Sequence, residues 1–422
     1  MLDLTGCEFY SSFSLNVIRR LSQLEELYLP VLEHCIAVQP TETNDIFLVI
    51  KSLTRLRRLK LWVSPLHFPP DFDFPELEDY HIFIIRAWTV FHRIFNAARS
   101  LHINQEVFPY NAVSQLLGNL ESLVVSGIKD EYLECLTNKT QQKVSVSMIL
   151  RNLKQVTIKH CSNLKVVFQM EEVEENGAPL LSNLKILRLQ SLPDLSCIWE
   201  LPTQHVRLES LVELTIRECP ALKSLFSLSL AQSLVLLEKL DIMYCDELKQ
   251  IVAELEGDEG EISSTINSHN SLCFPKLAAL DISFCRRLEY IFPTQHVSLE
   301  SLVYLTILHC PRLKSLFSLS LVQSLVLLEE LDIRYCDELK QIVTELEGDE
   351  GEISSAINSH TSLCFPKLTK LNILSCPRLK YIFPTSLASN GLQGLTLDIR
   401  GCPKLKQVFR VANDSMLQYQ HS

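Results

Sequence analysis

The segment SLVELTIRECPALKSLF, residues 210–226, sets apolar residues at Leu211, Leu214, Ile216, Leu222 and Leu225, with a cysteine at Cys219. Leu214 and Ile216 are two apart, so they share one face of an extended strand while Glu213, Thr215 and Arg217 face the other way. After Cys219, a further Leu-x-x-Leu-Phe turns more apolar side chains inward on a return path. The same frame recurs as LLEKLDIMYCDELKQIV (236–252), KLAALDISFCRRLEYIF (276–292) and NLKQVTIKHCSNLKVVF (152–168), and more loosely as NLKILRLQSLPDLSCIW (183–199). It returns before Cys402 with Gly394 in the first-leucine slot. A single unit of this kind cannot bury its apolar face. Stacked units can, with parallel strands forming a ladder and the leucines a continuous core.

Composition agrees with a repeat. The chain has 422 residues, 47% of them hydrophobic, with 75 leucines and only 11 glycines. Length alone suggests two or three domains of roughly 150 residues. Glycine poverty argues against folds built on glycine-rich turns and phosphate loops. In the second half, residues 203–293 recur as 294–384 at a shift of 91, with 18 differences. First-leucine slots fall at Leu153, Leu184, Leu211, Leu237, Leu277, Leu302, Leu328 and Leu368, spaced by 25 to 40 residues. Earlier slots near Leu24, Leu56, Leu77, Ala98 and Leu120 are less regular. The opening LDLTGCEF reads as the strand and cysteine slot of a unit whose beginning is missing.

The frame matches the leucine-rich-repeat signature L-x-x-L-x-L-x-x-N/C-x-L, with cysteine in the N/C slot. Eight of the 14 cysteines, at 161, 219, 245, 285, 310, 336, 376 and 402, occupy that slot. There a thiol serves as a small buried group turned toward backbone at the strand end. The expected fold is an α/β leucine-rich-repeat solenoid, a curved horseshoe with a parallel β-sheet on the concave face and an irregular or short-helical convex side. We expect one elongated domain over residues 1–422 with about 14 units. Residues 1–150 would form irregular repeats, 151–410 regular ones including the 91-residue duplication, and 411–422 a tail.

The formal net charge is −11. Of the 50 acidic residues, 14 lie in the runs 171–175, 254–261 and 345–352, which hold no basic residue, so the remainder of the chain is close to neutral. This distribution gives no reason to expect nucleic acid or an anionic membrane as the main partner. The acidic runs read as exposed loops on the return side. A calcium reading of G-D-E-G-E fails on spacing, which is not that of an EF-hand loop. The first residues lack a basic n-region and apolar core, and the longest apolar stretch, Ile82 to Phe91, is interrupted by Arg86, so neither a signal peptide nor a membrane span is expected. A cytoplasmic setting with reduced thiols follows as the expectation.

No phosphate loop, dinucleotide fingerprint or G-x-S-x-G elbow occurs, no C-x-x-C pair suggests zinc, and no cofactor or metal is expected. Histidine precedes cysteine at His34-Cys35, His160-Cys161 and His309-Cys310, but in the last two pairs the frame turns the thiol inward and the imidazole away. A buried thiol with no adjacent base is inert. The expectation is therefore a protein without catalysis.

The two long copies show where a partner would bind. Each strand frame offers five positions outside the core, and three units offer fifteen. Ten of the 18 differences fall there: Glu213, Arg217, Glu218, Lys239, Met243, Ala278, Ala279, Asp281, Ser283 and Phe284 with their counterparts 91 residues on. The acidic loops, equally exposed, are almost unchanged. That strand face is the surface such solenoids use for binding. It also carries Tyr244, Tyr304, Leu308, His309, Arg334, Tyr335, Lys370 and Leu374, types that bury well in partners. Near the start, RLRRLK sets Arg57, Arg58 and Lys60 on the same face, suited to an acidic partner or domain.

The opening LDLTGCEFYSSFSLNVIRRLSQLEELYLP, the units of type L-x-x-L-x-I-x-x-C-P-x-L-K-x-L-F, and the acidic loop followed by F-P-K-L resemble the leucine-rich-repeat region of plant intracellular resistance proteins of the coiled-coil nucleotide-binding class. The resemblance spans essentially the whole chain. It implies a recognition and autoregulation module, meeting a pathogen effector or guarded host protein on the later strands and a nucleotide-binding domain near Arg57 to Lys60. The ATPase motifs of that family have no counterpart in these residues. A leucine-rich-repeat substrate adaptor of a ubiquitin ligase, or a general protein interaction scaffold, is the alternative.

Overall fold

The computed structural model describes residues 1–4, 15–31, 48–63, 77, 79–84, 100–104, 120–129, 135, 150–169, 179–201, 205–253, 272–292, 297–344, 365–383 and 394–409. The chain divides into two compact units, Met1–Glu209 and Ser210–Ser422. The acidic runs, the pair His34-Cys35, the slot at Ala98 and the tail at 411–422 lie outside the described residues.

In the first unit the described ladder strands are β1 (Leu2–Asp3), β2 (Glu26–Val31), β3 (Arg58–Val63), β4 (Asp79–Ile84), β5 (Ser100–Asn104), β6 (Ser122–Ser126), β7 (Gln155–Lys159) and β8 (Ile186–Gln190). Each pairs in parallel with the next. The second unit continues the numbering with β9 (Glu213–Arg217), β10 (Lys239–Met243), β11 (Ala279–Ser283), β12 (Tyr304–Leu308), β13 (Glu330–Arg334), β14 (Lys370–Leu374) and β15 (Thr396–Arg400). These too are parallel neighbours.

The two-residue period of the frame sets the register. Leu214 stands opposite Leu240, which stands opposite Leu280, and this row continues through Leu305, Leu331 and Leu371. A second row runs from Ile216 through Ile242, Ile282, Ile307 and Ile333 to Ile373. Every member of both rows is buried. A parallel ladder with like residues in register packs each branched side chain against its copy on the adjacent strand, so the core repeats as the sequence does. In β15 the pattern fades, and Leu397 is 44% exposed.

Directly after each regular strand of the second unit, one residue takes a left-handed conformation. Glu218, Tyr244, Phe284, His309, Tyr335 and Ser375 have φ between 52° and 57°. Non-glycine residues rarely adopt this region. Here the backbone N–H holds the conformation by donating to the next strand, as from Glu218 to the Met243 carbonyl at 2.8 Å and from His309 to the Arg334 carbonyl at 2.8 Å. The kink turns the following cysteine inward. Cys219, Cys245, Cys285, Cys310, Cys336 and Cys376 are buried, and each thiol donates to the carbonyl two residues before it, for example from Cys310 to Leu308 at 3.5 Å. Ten of the described cysteines, the eight in the cysteine slot with Cys135 and Cys197, are free thiols. The cysteine slot therefore closes the strand end with a weak hydrogen bond from a group small enough to be buried.

The return side is built from short elements, as expected. Phe226–Ser227 pairs with Val252–Ala253, and Phe317–Ser318 with Val343–Thr344. One-turn helices at Leu228–Ala231 and Leu319–Ser324 begin at Ser227 and Ser318, whose hydroxyls accept from Leu230 N and Leu321 N. This is the expected use of serine at a helix start. Buried phenylalanines, among them Phe274, Phe365 and Phe383, fill the width between ladder and return side.

Candidate recognition face

The ladder of the second unit presents its non-core residues in rows, because register places equivalent positions side by side. The first row contains Glu213, Lys239, Ala279, Tyr304, Glu330 and Lys370, and the last row of the strands contains Arg217, Met243, Ser283, Leu308, Arg334 and Leu374. The face residues read from the frame thus come together on one side of one unit. Glu218, Tyr244, Phe284, His309 and Tyr335 belong to it by a different route. They sit in the left-handed kinks beyond the strand ends and form a row of their own.

Four of those five stack. The Tyr244 and Phe284 rings lie 4.5 Å apart, Phe284 and His309 4.6 Å, and His309 and Tyr335 4.2 Å, with interplanar angles of 11° to 15°. His309 therefore does not simply point away from the fold, since it is held between two rings. Its neighbour Cys310 is buried and has its thiol pushed well above its ordinary value, first by sharing a hydrogen bond with Cys285 and then by burial. The ring column had a sequence signal, an aromatic or histidine directly before cysteine in four successive units, but stacking depends on the kink geometry, which the letters do not display.

The middle row was not read from sequence as a set. It contains Thr215, Asp241, Asp281, Thr306, Asp332 and Asn372. Counting all five non-core positions of each strand as exposed needs correction here, because Asp241 and Ser283 are 4% and 1% exposed. Small or hydrogen-bonded side chains in the middle of a ladder are covered by longer neighbours on adjacent strands. Arg217 donates to Asp241 Oδ2 at 2.6 Å, while Asp241 Oδ1 is buried and accepts no hydrogen bond. Ser283 donates to Asp281 Oδ1 at 3.1 Å. Arg334 makes two bonds to Asp332, at 2.7 and 2.5 Å.

Burial pushes the Asp281 carboxyl above its usual range, the Ser283 hydroxyl opposes this, and the Asp241 charge adds to it. A carboxyl with a raised folded-state pKa stays protonated in the fold at pH values where the unfolded chain has ionised. Stability therefore falls as pH rises through this interval, and the penalty persists at neutral pH. The sister copy carries Asn372 at this position. Asp281→Asn is expected to raise Tm slightly at pH 7, with the gain vanishing below about pH 4, where the unfolded carboxylate is protonated too. Thermal melts across pH check this, and a lower Tm for the variant at pH 7 would refute it.

In the first unit, Arg58 and Lys60 lie on one side of β3, in register with Glu26 and Tyr28 of β2. Arg57 precedes the strand, its N–H donating to the Glu25 carbonyl at 2.7 Å. Arg58 pairs with Glu26 at 3.0 Å, and Tyr28 donates to the same carboxylate at 3.2 Å. The basic stripe is thus partly offset by an acid from the adjacent strand. Among the described residues, no group of three or more His, Cys, Asp or Glu is placed to hold a metal ion. No helix among them is long and apolar enough to cross a membrane.

A parallel ladder with strand after strand in one register, buried leucine and isoleucine rows and short return elements matches one repeat class. The chain carries a leucine-rich-repeat region. The family model described as plant disease resistance protein RPS2-like, leucine-rich repeats, matches residues 101–246 and 293–337 of this region. No curated protein is matched. Among solved structures, the leucine-rich repeat domain of the type III effector XopL is similar at 16% identity and a TM-score of 0.28, over 69% of this chain and 65% of that one. A TDR receptor is similar at 10% identity and a TM-score of 0.17, over 82% of this chain and 80% of that one. Leucine-rich-repeat regions are protein interaction modules, and no enzymatic family is indicated.

Proposed function

We propose that this leucine-rich-repeat region is the non-catalytic recognition and autoregulatory module of a cytoplasmic plant immune receptor of the coiled-coil nucleotide-binding class. Its ligand is a pathogen effector or a guarded host protein, bound on the strand face of residues 210–422. One observation carries the reading. Between the two 91-residue copies, differences concentrate on that face, while the leucine and isoleucine rows and the acidic segments are kept almost unchanged. All five non-core positions of the β11 unit differ from those of the β14 unit. A surface retained for packing alone would not change fastest while the leucine and isoleucine rows beneath it stay fixed.

The family model supports the immune setting, because its match includes residues 210–246 and 293–337 of the proposed binding unit. Arg58 and Lys60 serve the autoregulatory half, facing a nucleotide-binding domain of the parent receptor.

The test is a double substitution, Tyr304→Ala with Arg334→Ala, in the full chain. Tyr304 is 49% exposed, and Arg334 makes its ion pair at the surface, so neither supports the core. A partner identified by crosslinking to the wild-type chain in plant extract should bind the double variant at least about tenfold more weakly, the usual scale of a lost anchor pair. Tm should stay within about 2 °C, as for surface changes. Unchanged affinity would overturn the placement of the binding face.

A further inference from the structure

Beyond the cysteines, where each unit leaves the ladder, charge is arranged in a column. The fourth residue after each cysteine donates its backbone N–H to the carbonyl of its equivalent one unit earlier. Glu289 donates to Lys249 at 3.1 Å, Lys314 to Glu289 at 3.3 Å, Lys340 to Lys314 at 3.2 Å, Lys380 to Lys340 at 3.0 Å and Lys406 to Lys380 at 3.4 Å. Bonding of this kind sets neighbours about 4.8 Å apart. Each column residue directly follows a leucine of the frame, and Lys249, Lys340, Lys380 and Lys406 are exposed. The one carboxylate in this run shows what the column can hold. Lys314 donates to Glu289 at 2.5 Å. That hydrogen bond holds the Glu289 carboxyl below the usual range; burial opposes it, and the charges of Lys314, Arg312 and Lys249 add to it. In the same turns Asp246 pairs with Arg286 at 3.6 Å, and Glu247 pairs with Arg287. The first copy thus supplies carboxylates for its own cations.

The second copy is different. Lys380 stands where the first copy has Glu289, Arg312 where it has Ala221, and Pro377 where it has Arg286. The turns that follow the cysteines carry four cations and three acids in the first copy, but five cations and two acids, Asp337 and Glu338, in the second. Lys404 and Lys406 then extend the excess. Among the described residues, no carboxylate pairs with Arg378, Lys380, Lys404 or Lys406.

We propose that this edge, from Lys340 to Lys406, seats an acidic segment of a protein partner, whose carboxylates take the place that Glu289 holds in the first copy. It is a second surface, and it does not depend on the reading of the strand face. An ammonium group is a compact charge with three donors on a flexible stem, so a row of lysines accepts carboxylates along an extended chain without demanding one register. The excess of cations draws such a segment in, and the even spacing lets several pairs form at once.

The probe is a fluorescein-labelled octapeptide of alternating glutamate and serine, with a glutamine counterpart, titrated into the full chain and read by anisotropy. Physiological salt screens charges more than about 8 Å apart, so the reading reports close pairs rather than net charge. The glutamate peptide should bind more tightly than the glutamine peptide. Lys380→Glu restores the residue of the sister copy, so it folds, gives the column a carboxylate of its own and should weaken the glutamate peptide about fivefold. Lys380→Gln with Lys404→Gln and Lys406→Gln should weaken it about tenfold. Lys367→Glu alters net charge as Lys380→Glu does, at an exposed position before its strand, and should leave binding within about twofold. Unchanged binding by Lys380→Glu, or equal weakening by Lys367→Glu, overturns the seat. An eight-nucleotide thymidine strand that binds more tightly than the glutamate peptide and is lost with Lys380→Glu would make the edge a phosphate seat and overturn the choice of partner. Peptide binding that tightens about tenfold in a chain carrying Glu345→Gln, Glu347→Gln, Asp349→Asn, Glu350→Gln and Glu352→Gln would mean that the chain's own acidic run competes for the edge, and would overturn the assignment to a partner.

Discussion

Ile307→Ala in β12 is expected to destabilise the chain by about 2–5 kcal/mol, the range for removing a fully buried branched side chain whose surroundings cannot collapse around the void. Ile307 is fully buried and stands in register between Ile282 and Ile333. Its neighbours are fixed by the ladder hydrogen bonds of two flanking strands, so the cavity persists. Tyr304→Ala, three residues earlier on the opposite side of the same strand, should change stability by no more than about 0.5 kcal/mol, as surface substitutions do. Urea unfolding followed by circular dichroism separates the two. Equal midpoints for both variants would mean that the strand does not have one core face and one solvent face.

The second large effect concerns the cysteine row. Burial pushes the Cys161 thiol up to about 11, with hydrogen bonding to backbone near Ile128 opposing the rise. An ordinary thiol has a pKa of about 8.5, and only the thiolate alkylates. At pH 7.5 the thiolate fraction of Cys161 is thus reduced on the order of 100-fold relative to an unfolded chain, before the closed packing of a buried residue is counted. Iodoacetamide labelling followed by peptide mass spectrometry should show Cys161 reacting more than about a hundredfold slower in the native chain than in urea. The half-buried Cys402, whose thiol burial raises less, should label first among the cysteine slots described. Rapid native labelling of Cys161 would contradict its place inside the ladder.

These two outcomes rest on parts of the fold that were legible in the letters. The Leu-x-Ile spacing identifies the strand and its buried side, and the cysteine slot marks where the chain turns in. Both follow from a period of two interrupted at a constant position. The first 150 residues were harder. Only weak echoes such as PELEDYHIF suggested a strand, yet Asp79–Ile84 pairs in register with its neighbours on both sides. There, strand pairing supplies what hydrophobic period does not.

The candidate face was legible as a list but not as a surface. Copy comparison located Glu218, Phe284 and their neighbours without revealing that the residue before each cysteine sits in a left-handed kink. That conformation lines up Tyr244, Phe284, His309 and Tyr335 as one stack. It also takes Glu218 out of the strand. The burial of Asp241 was equally hidden, because it depends on the Arg217 side chain reaching across from the adjacent strand. Side-chain reach between units is a property of register and length together, and no single repeat states it.

The register has a consequence for how such a surface changes over generations. A copied segment keeps leucine beside leucine and isoleucine beside isoleucine only when its length is a whole number of units. A slip of one residue would turn every side chain of a strand to the wrong side. The 91-residue duplication satisfies this with three units, from Leu211 to Leu302 at its first slot. Each such event enlarges the interior without redesign and delivers fifteen positions outside the core rows, most of them unburied and free to drift. New specificity is then acquired by lengthening the ladder, and the inherited scaffold remains unaltered.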